Sequence, residues 1–200
     1  MVDAAEESIL ETLKNAFESG HTNATLSLSK MTRTEIYYTN FRMGFHTLDP
    51  DYLGKDGTFN REGASLLFTT EVFGDVTGKS YLLISDEEFA LLTHGIPDSK
   101  DPGINLKEEF AKELDNILSA SVITRLSNEL KRKMYGDIPI LVGKVHGRIE
   151  DIIYDDFSEQ AKDVYINSGH FSFSERPTLR PLFIWVVDRN SLNCLQSKPD

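Results

Sequence analysis

Residues 107–135, KEEFAKELDNILSASVITRLSNELKRKMY, decide how the rest of the chain is read. The stretch has no Gly or Pro and is filled with Glu, Lys, Leu, Ala and Arg, all good helix formers. One long helix over 107–135 is the expectation. Asn105 stands where an N-cap belongs, and Glu108 and Glu109 bring negative charge to the first turn. Gly136 and Pro139 are expected to stop the helix. Leu106, Phe110, Leu114 and Ile117 recur at helical spacing and mark the expected buried face of the first half. The small run Ser119, Ala120, Ser121 leaves room for another element to approach closely. Beyond it the apolar positions shift to Val122, Ile123, Leu126, Leu130 and Met134, so the second half is expected to bury a different side. Glu109, Glu113 and Asn116 lie beside the first stripe. Glu113 and Asn116 are three apart and therefore neighbours on the helix surface. A carboxylate and a carboxamide are displayed together on a rigid rod.

Glu113-x-x-Asn116, followed by twenty-two residues and Pro139, resembles the signature of the CheC/CheX chemotaxis phosphatases. The text ELDNILSASVITRLSN, 113–128, is similar to the signature helix of that family. One position departs from the pattern. The family has Asp or Ser four residues before the Glu, and here Glu109 stands there.

An earlier helix is expected over 5–30, AEESILETLKNAFESGHTNATLSLSK, with an apolar stripe of Ile9, Leu13, Phe17, Leu26 and Leu28 interrupted by Gly20. CheC-type members carry the signature twice, once in each half. Aligning the first helix on Gly20 puts Leu13 at the Glu position, Ala16 at the Asn position and Thr39 at the proline. None of these can serve, so the first site reads as lost while its helix is kept. Glu11 and Asn15 are four apart and out of register.

The intervening chain is read as strands and turns. A strand with an irregularity near Asn40 is expected within 33–48, followed by a loop over 49–63 rich in Asp, Gly and Asn. Strands at 65–74 and 79–85 form a hairpin, and a short helix opens with Asp86. After the long helix come apolar runs at 138–145, 148–157, 163–174 and 180–187, and Asp188 opens a final short helix. The plan of helix, strands, hairpin and short helix thus occurs twice, in halves of about 5–98 and 104–196 within one domain. The fold class is α+β, and the resemblance implies two long helices packed on a shared, mostly antiparallel sheet.

The charge and composition exclude several functions. A net charge of −11 argues against a nucleic-acid backbone as partner. The one basic cluster, Lys131, Arg132 and Lys133, is expected in the last turn of the long helix, where it complements the helix dipole. No apolar run approaches membrane-spanning length, and the acidic N-terminus lacks the layout of a signal peptide. A lone cysteine, Cys194, suits a reducing compartment, so the chain reads as cytoplasmic. GDVTGKS, 74–80, imitates a phosphate-binding loop but is one residue short and runs into a β-type segment. CheC-like proteins carry a similar hairpin at this place. The five histidines show no ligand spacing, so no metal site of the chain's own is expected. The acidic run Glu150, Asp151, Asp155, Asp156 reads as a solvated strand edge or loop.

An Asn cannot act as a base near neutral pH, but it can orient a water by donating and accepting hydrogen bonds. That is sufficient where the phosphoryl group is held elsewhere, because phosphoryl transfer depends mainly on positioning and charge stabilisation. The resemblance implies such a case. The substrate would be the aspartyl phosphate of a CheY-like response regulator, which brings its own Mg²⁺. Asn116 would place the water, Glu113 would pair with a regulator lysine, Glu109 would shape the approach and Pro139 would be structural. The alternative is a binding module of the same fold without hydrolysis. CheD is a further partner that the resemblance implies. The length suits a CheC-type monomer and the single site a CheX-type dimer, and a monomer is the expectation.

Overall fold

Two long helices, α1 (Ala4–Thr32) and α4 (Leu106–Leu130), pack against one face of a seven-stranded sheet. The computed structural model describes residues 4–53, 59, 65–101 and 103–192. The strands are β1 (Ile36–Thr47), β2 (Ser65–Gly74), β3 (Gly78–Ser85), β4 (Met134–Gly136), β5 (Ile140–Val145), β6 (Asp163–Phe173) and β7 (Leu182–Asp188). Short helices α2 (Pro50–Leu53), α3 (Asp86–Leu92), α5 (Ile149–Phe157) and α6 (Arg189–Leu192) complete the described chain. Every strand pairing is antiparallel, in the order β1-β6-β7-β3-β2-β4, with β5 also on β2. The architecture is α+β.

The order is built from two hairpins and two exchanged strands. The hairpins β2–β3 and β6–β7 meet at the sheet centre through β3 and β7. Each half then lends its strand to the other half's hairpin, β1 to β6 and β5 to β2. β7 is buried along its whole length. Phe183, Trp185 and Val187 enter the core under the long helices, while Leu182, Ile184 and Val186 enter a second core on the opposite face. A continuous apolar run, LFIWVV, is what a strand covered on both faces requires.

The long helices cross where α1 has Gly20. A Cβ there would lie 2.9 Å from Val122 Cα. Gly20 therefore lets two backbones approach and does not interrupt α1, which runs unbroken. Ile9, Leu13, Phe17 and Leu28 follow the expected stripe, but Leu26 is exposed.

Several boundaries differ from expectation for identifiable reasons. α4 ends at Leu130, where Lys131 takes the left-handed conformation (φ 53°) and the amides of Lys131 and Arg132 bond back to Asn128 and Ser127. The Ser127 hydroxyl donates to the Arg132 carbonyl at 2.6 Å, fixing the turn. Residues 134–136 become β4, so Gly136 is not the stop and the basic cluster 131–133 lies beyond the helix. The buried face of α4 is one continuous stripe of Ala111, Leu114, Asp115, Leu118, Ser119, Val122, Ile123, Leu126 and Leu130. Leu106 is exposed, and Phe110 and Ile117 are half-buried. Reading apolar residues alone rotated that face, because two of its members are Asp115 and Ser119.

Residues 149–157 form a helix instead of a solvated strand edge. Ile149, Ile153 and Phe157 recur every fourth residue and cap the second core, with Ile152 half-buried beside them. α3 is capped by Ser85, not Asp86, through a capping box with Glu88. The irregularity in β1 is a register shift between Asn40 and Arg42. Pro50–Leu53 is helical, and most of the 49–63 loop and Cys194 lie outside the described residues. Among the described residues, no helix is long and apolar enough to cross a membrane.

Candidate functional site

α4 starts where the sequence places it. Asn105 accepts from the amides of Lys107 and Glu108, and its own amide donates to the Glu108 carboxylate at 2.7 Å. This cap fixes the first turns, which carry the polar flank Glu109, Lys112, Glu113 and Asn116. Glu109, Glu113 and Asn116 are exposed.

Opposite this flank runs the segment after α4. Its course is tied to the β2–β3 hairpin. Gly74 has φ 122°, and a Cβ there would run into the Lys133 carbonyl. Asp75 N–H donates to that carbonyl at 2.8 Å, while Lys133 N–H donates to the Asp75 carboxylate at 2.9 Å. Asp137 N–H then donates to the Glu71 carbonyl. After Gly78 the chain enters β3, so 74–80 is a hairpin that anchors the far wall and has no helix N-terminus for a phosphate. Pro139 is buried and turns the chain into β5.

Between the two walls lies a shallow groove of about 340 Å³, lined by Glu109, Lys112, Glu113 and Asn116 from α4 and by 136–139. All four residues singled out in the sequence, Glu109, Glu113, Asn116 and Pro139, therefore meet at one place. Asn116 Nδ2 stands 3.4 Å from Glu113 Oε2, a long contact that leaves the amide's remaining donor and acceptor capacity for a ligand. Lys112 is drawn to Glu109 at 2.7 Å rather than to Glu113. Glu109 is thus held on the flank as half of an ion pair, whereas the contact of Glu113 is to Asn116 at the groove. With Asp137 opposite, the lining carries three carboxylates against one ammonium. Such a groove favours a cationic group on whatever docks there.

Lys112, Asp137 and Ile138 were not read from the sequence as site residues, although Lys112 is i+3 from Glu109 and the others adjoin Pro139. Ile138 is 79% exposed, an apolar knob on the rim. Asp115, between Glu113 and Asn116, was also missed. It points the other way and is fully buried, accepting from the Thr70 hydroxyl on β2 at 2.7 Å. Its other oxygen has no partner. Burial pushes its carboxyl up to about 7, against the opposing pull of the Thr70 hydrogen bond. The Ser80 and Ser119 hydroxyls pair nearby at 2.8 Å. These two buried polar contacts pin α4 to β2 and β3 directly behind the groove.

The corresponding place on α1 has no such chemistry. Leu13 and Ala16 are fully buried core residues. Among the described residues, no group of three His, Cys, Asp or Glu is placed to hold a metal ion.

No protein-family model matches the sequence. No curated protein matches it. Solved structures do match. FliY from Thermotoga maritima superposes with a TM-score of 0.63 at 15% identity, covering 98% of this chain and 96% of that one. The FliM middle domain from Vibrio alginolyticus gives 0.53 at 12%, covering 90% and 94%. A CheC-like superfamily protein from Shewanella sp. PV-4 gives 0.50 at 11%, covering 88% and 97%. With nearly the whole chain superposing on each, the protein has the CheC-like fold that these structures share.

Proposed function

We propose that the chain accelerates hydrolysis of the aspartyl phosphate on a CheY-like response regulator, in the cytoplasm, through one working site on α4. The observation that carries this reading is the pairing of Glu113 and Asn116 on the exposed flank of a helix pinned from behind, at a groove with an acidic lining. Asn116 orients the attacking water, donating from Nδ2 or accepting at Oδ1. Glu113 docks against a lysine of the regulator, for which the groove's excess of carboxylates is suited. The Mg²⁺ that neutralises the phosphoryl oxygens comes with the regulator. Little else is asked of the chain, because positioning the nucleophile in line supplies most of the rate in this class of reaction.

A second reading, a binding module that holds a regulator or another chemotaxis protein such as CheD without turnover, draws on a different feature. Ile138 stands exposed on the rim of the groove, and Ile140 and Val142 are exposed on the adjoining β5, as apolar contact residues would be. The two readings part on the lifetime of a phosphorylated regulator in Mg²⁺. A phosphatase shortens it in proportion to chain concentration, whereas a binding module forms the complex and leaves the lifetime as it was.

A further inference from the structure

A second pocket, of about 300 Å³, opens between α1 and the start of β1, on the other half of the molecule from Glu113. It is lined by Glu18, His21 and Thr22 of α1, Tyr38 and Asn40 of β1 and Asn167 of β6, among others. Its size is at the lower end of the range for small-molecule sites.

The polar groups behind this lining are incompletely satisfied. His21 is 3% exposed and stacks on the Tyr38 ring at 3.8 Å. Burial pulls its imidazole down to about 4, so the ring is neutral. Asn167 Oδ1 accepts from His21 Nε2 at 2.7 Å and from the Tyr38 hydroxyl at 3.2 Å. The proton is then on Nε2. His21 Nδ1 becomes an acceptor without a donor, and Asn167 Nδ2 a donor without an acceptor. Exchanging the amide's O and N together with the imidazole tautomer reverses the two roles and leaves the same complement, one donor and one acceptor. Asn40 Oδ1 is also buried without a partner. Three orphaned polar atoms in residues around one pocket are costly and define what an occupant must bring.

We propose that this pocket binds a small neutral amide, a primary carboxamide or lactam with a flat body. An amide carries both an acceptor, for Asn167, and a donor, for His21 or Asn40, and a flat body suits a pocket lined by the Tyr38 ring. An anion does not fit, because the charged lining residue is Glu18 and no Lys or Arg lines the pocket. The orphaned atoms are sealed beneath the lining, so binding shifts the Tyr38 and Asn40 side chains.

The test is a titration of the full chain with nicotinamide and with nicotinate, followed by ¹H–¹⁵N spectra and the His21 ring ¹⁵N shifts. Saturable nicotinamide binding in the millimolar range or tighter, with shifts centred on His21, Tyr38 and Asn167, is expected, with no saturable response to nicotinate. Asn167→Leu should weaken nicotinamide binding by about tenfold or more. Glu18→Gln, an exposed and conservative change, should lessen the discrimination against nicotinate. N-acetylglutamine N-methylamide in a parallel titration separates sources: binding of it in place of nicotinamide assigns the amide to a protein side chain. Shifts that stay linear to the solubility limit for both amides, or equal binding of nicotinate, would overturn the proposal.

Discussion

Replacing Asp115 by Asn should make the protein more stable at neutral and alkaline pH, and leave it unchanged in acid. The carboxyl of Asp115 is raised from 3.8 to about 7, chiefly by burial. The folded chain therefore binds a proton between about pH 4 and 7 that the unfolded chain has released. Stability from this group is complete below the unfolded value and is lost as pH rises through the folded one. That rise, at 1.36 kcal/mol for each tenfold change in proton affinity, is a loss of about 4 kcal/mol by pH 8. Asn is isosteric, still accepts from Thr70 and never ionises. Urea denaturation of both proteins across pH 4 to 8 gives the difference directly. The curves should coincide near pH 4 and diverge by up to about 4 kcal/mol in favour of Asp115→Asn near pH 8. A gap that does not change with pH, or a variant less stable at pH 8, would refute the reasoning.

Three further outcomes follow from the same structure. His21 titrates with the opposite sign: its pKa falls from 6.5 to about 4, so it withdraws about 3 kcal/mol of stability as pH drops through that window. Against His21→Gln, the wild-type advantage should shrink by about that amount between pH 7 and 4, and in the wild type the two slopes should largely cancel between pH 4 and 6.5. Gly20→Ala forces the α1–α4 crossing apart at Val122 and should lower stability by about 1–3 kcal/mol despite the better helix propensity of Ala, as read from thermal melts. Asn105→Ala removes the α4 cap and should cost about 1 kcal/mol, with faster amide exchange in the turn that carries Glu109.

The sequence made the site more legible than its setting. Helical periodicity puts Glu113 and Asn116 on one flank, while the resemblance to the CheC/CheX signature is what singles out that pair together with Pro139. The strand runs at 65–74, 79–85, 163–174 and 180–187 were equally plain, since continuous or alternating apolar patterns mark covered strands. What was hidden were polar residues serving as core. Asp115 and Ser119 look like surface positions, so the apolar residues alone point to a face of α4 rotated from the buried one. The helix at 149–157 was masked by its acidic residues, although Ile149, Ile153 and Phe157 keep a four-residue period. The end of α4 depended on Lys131 adopting a positive φ, which no side-chain pattern announces. In the sequence Gly136 reads as a helix stop and Gly74 as the end of a strand. They are places where the backbone of 133–136 lies tight against α4 and the hairpin.

The central claim concerns Asn116 as the group that places the attacking water. Its most direct test is the decay of aspartyl phosphate on a response regulator, in Mg²⁺, with wild type and with Asn116→Ala at equal concentration. Asn116 is exposed and belongs to neither core, so the variant should fold normally. An oriented catalytic group is worth about 3 kcal/mol, so the acceleration should fall by about a hundredfold or to the unassisted rate, while binding of the regulator persists. An Asn116→Ala protein that shortens the phosphate's lifetime as well as wild type does would contradict the account.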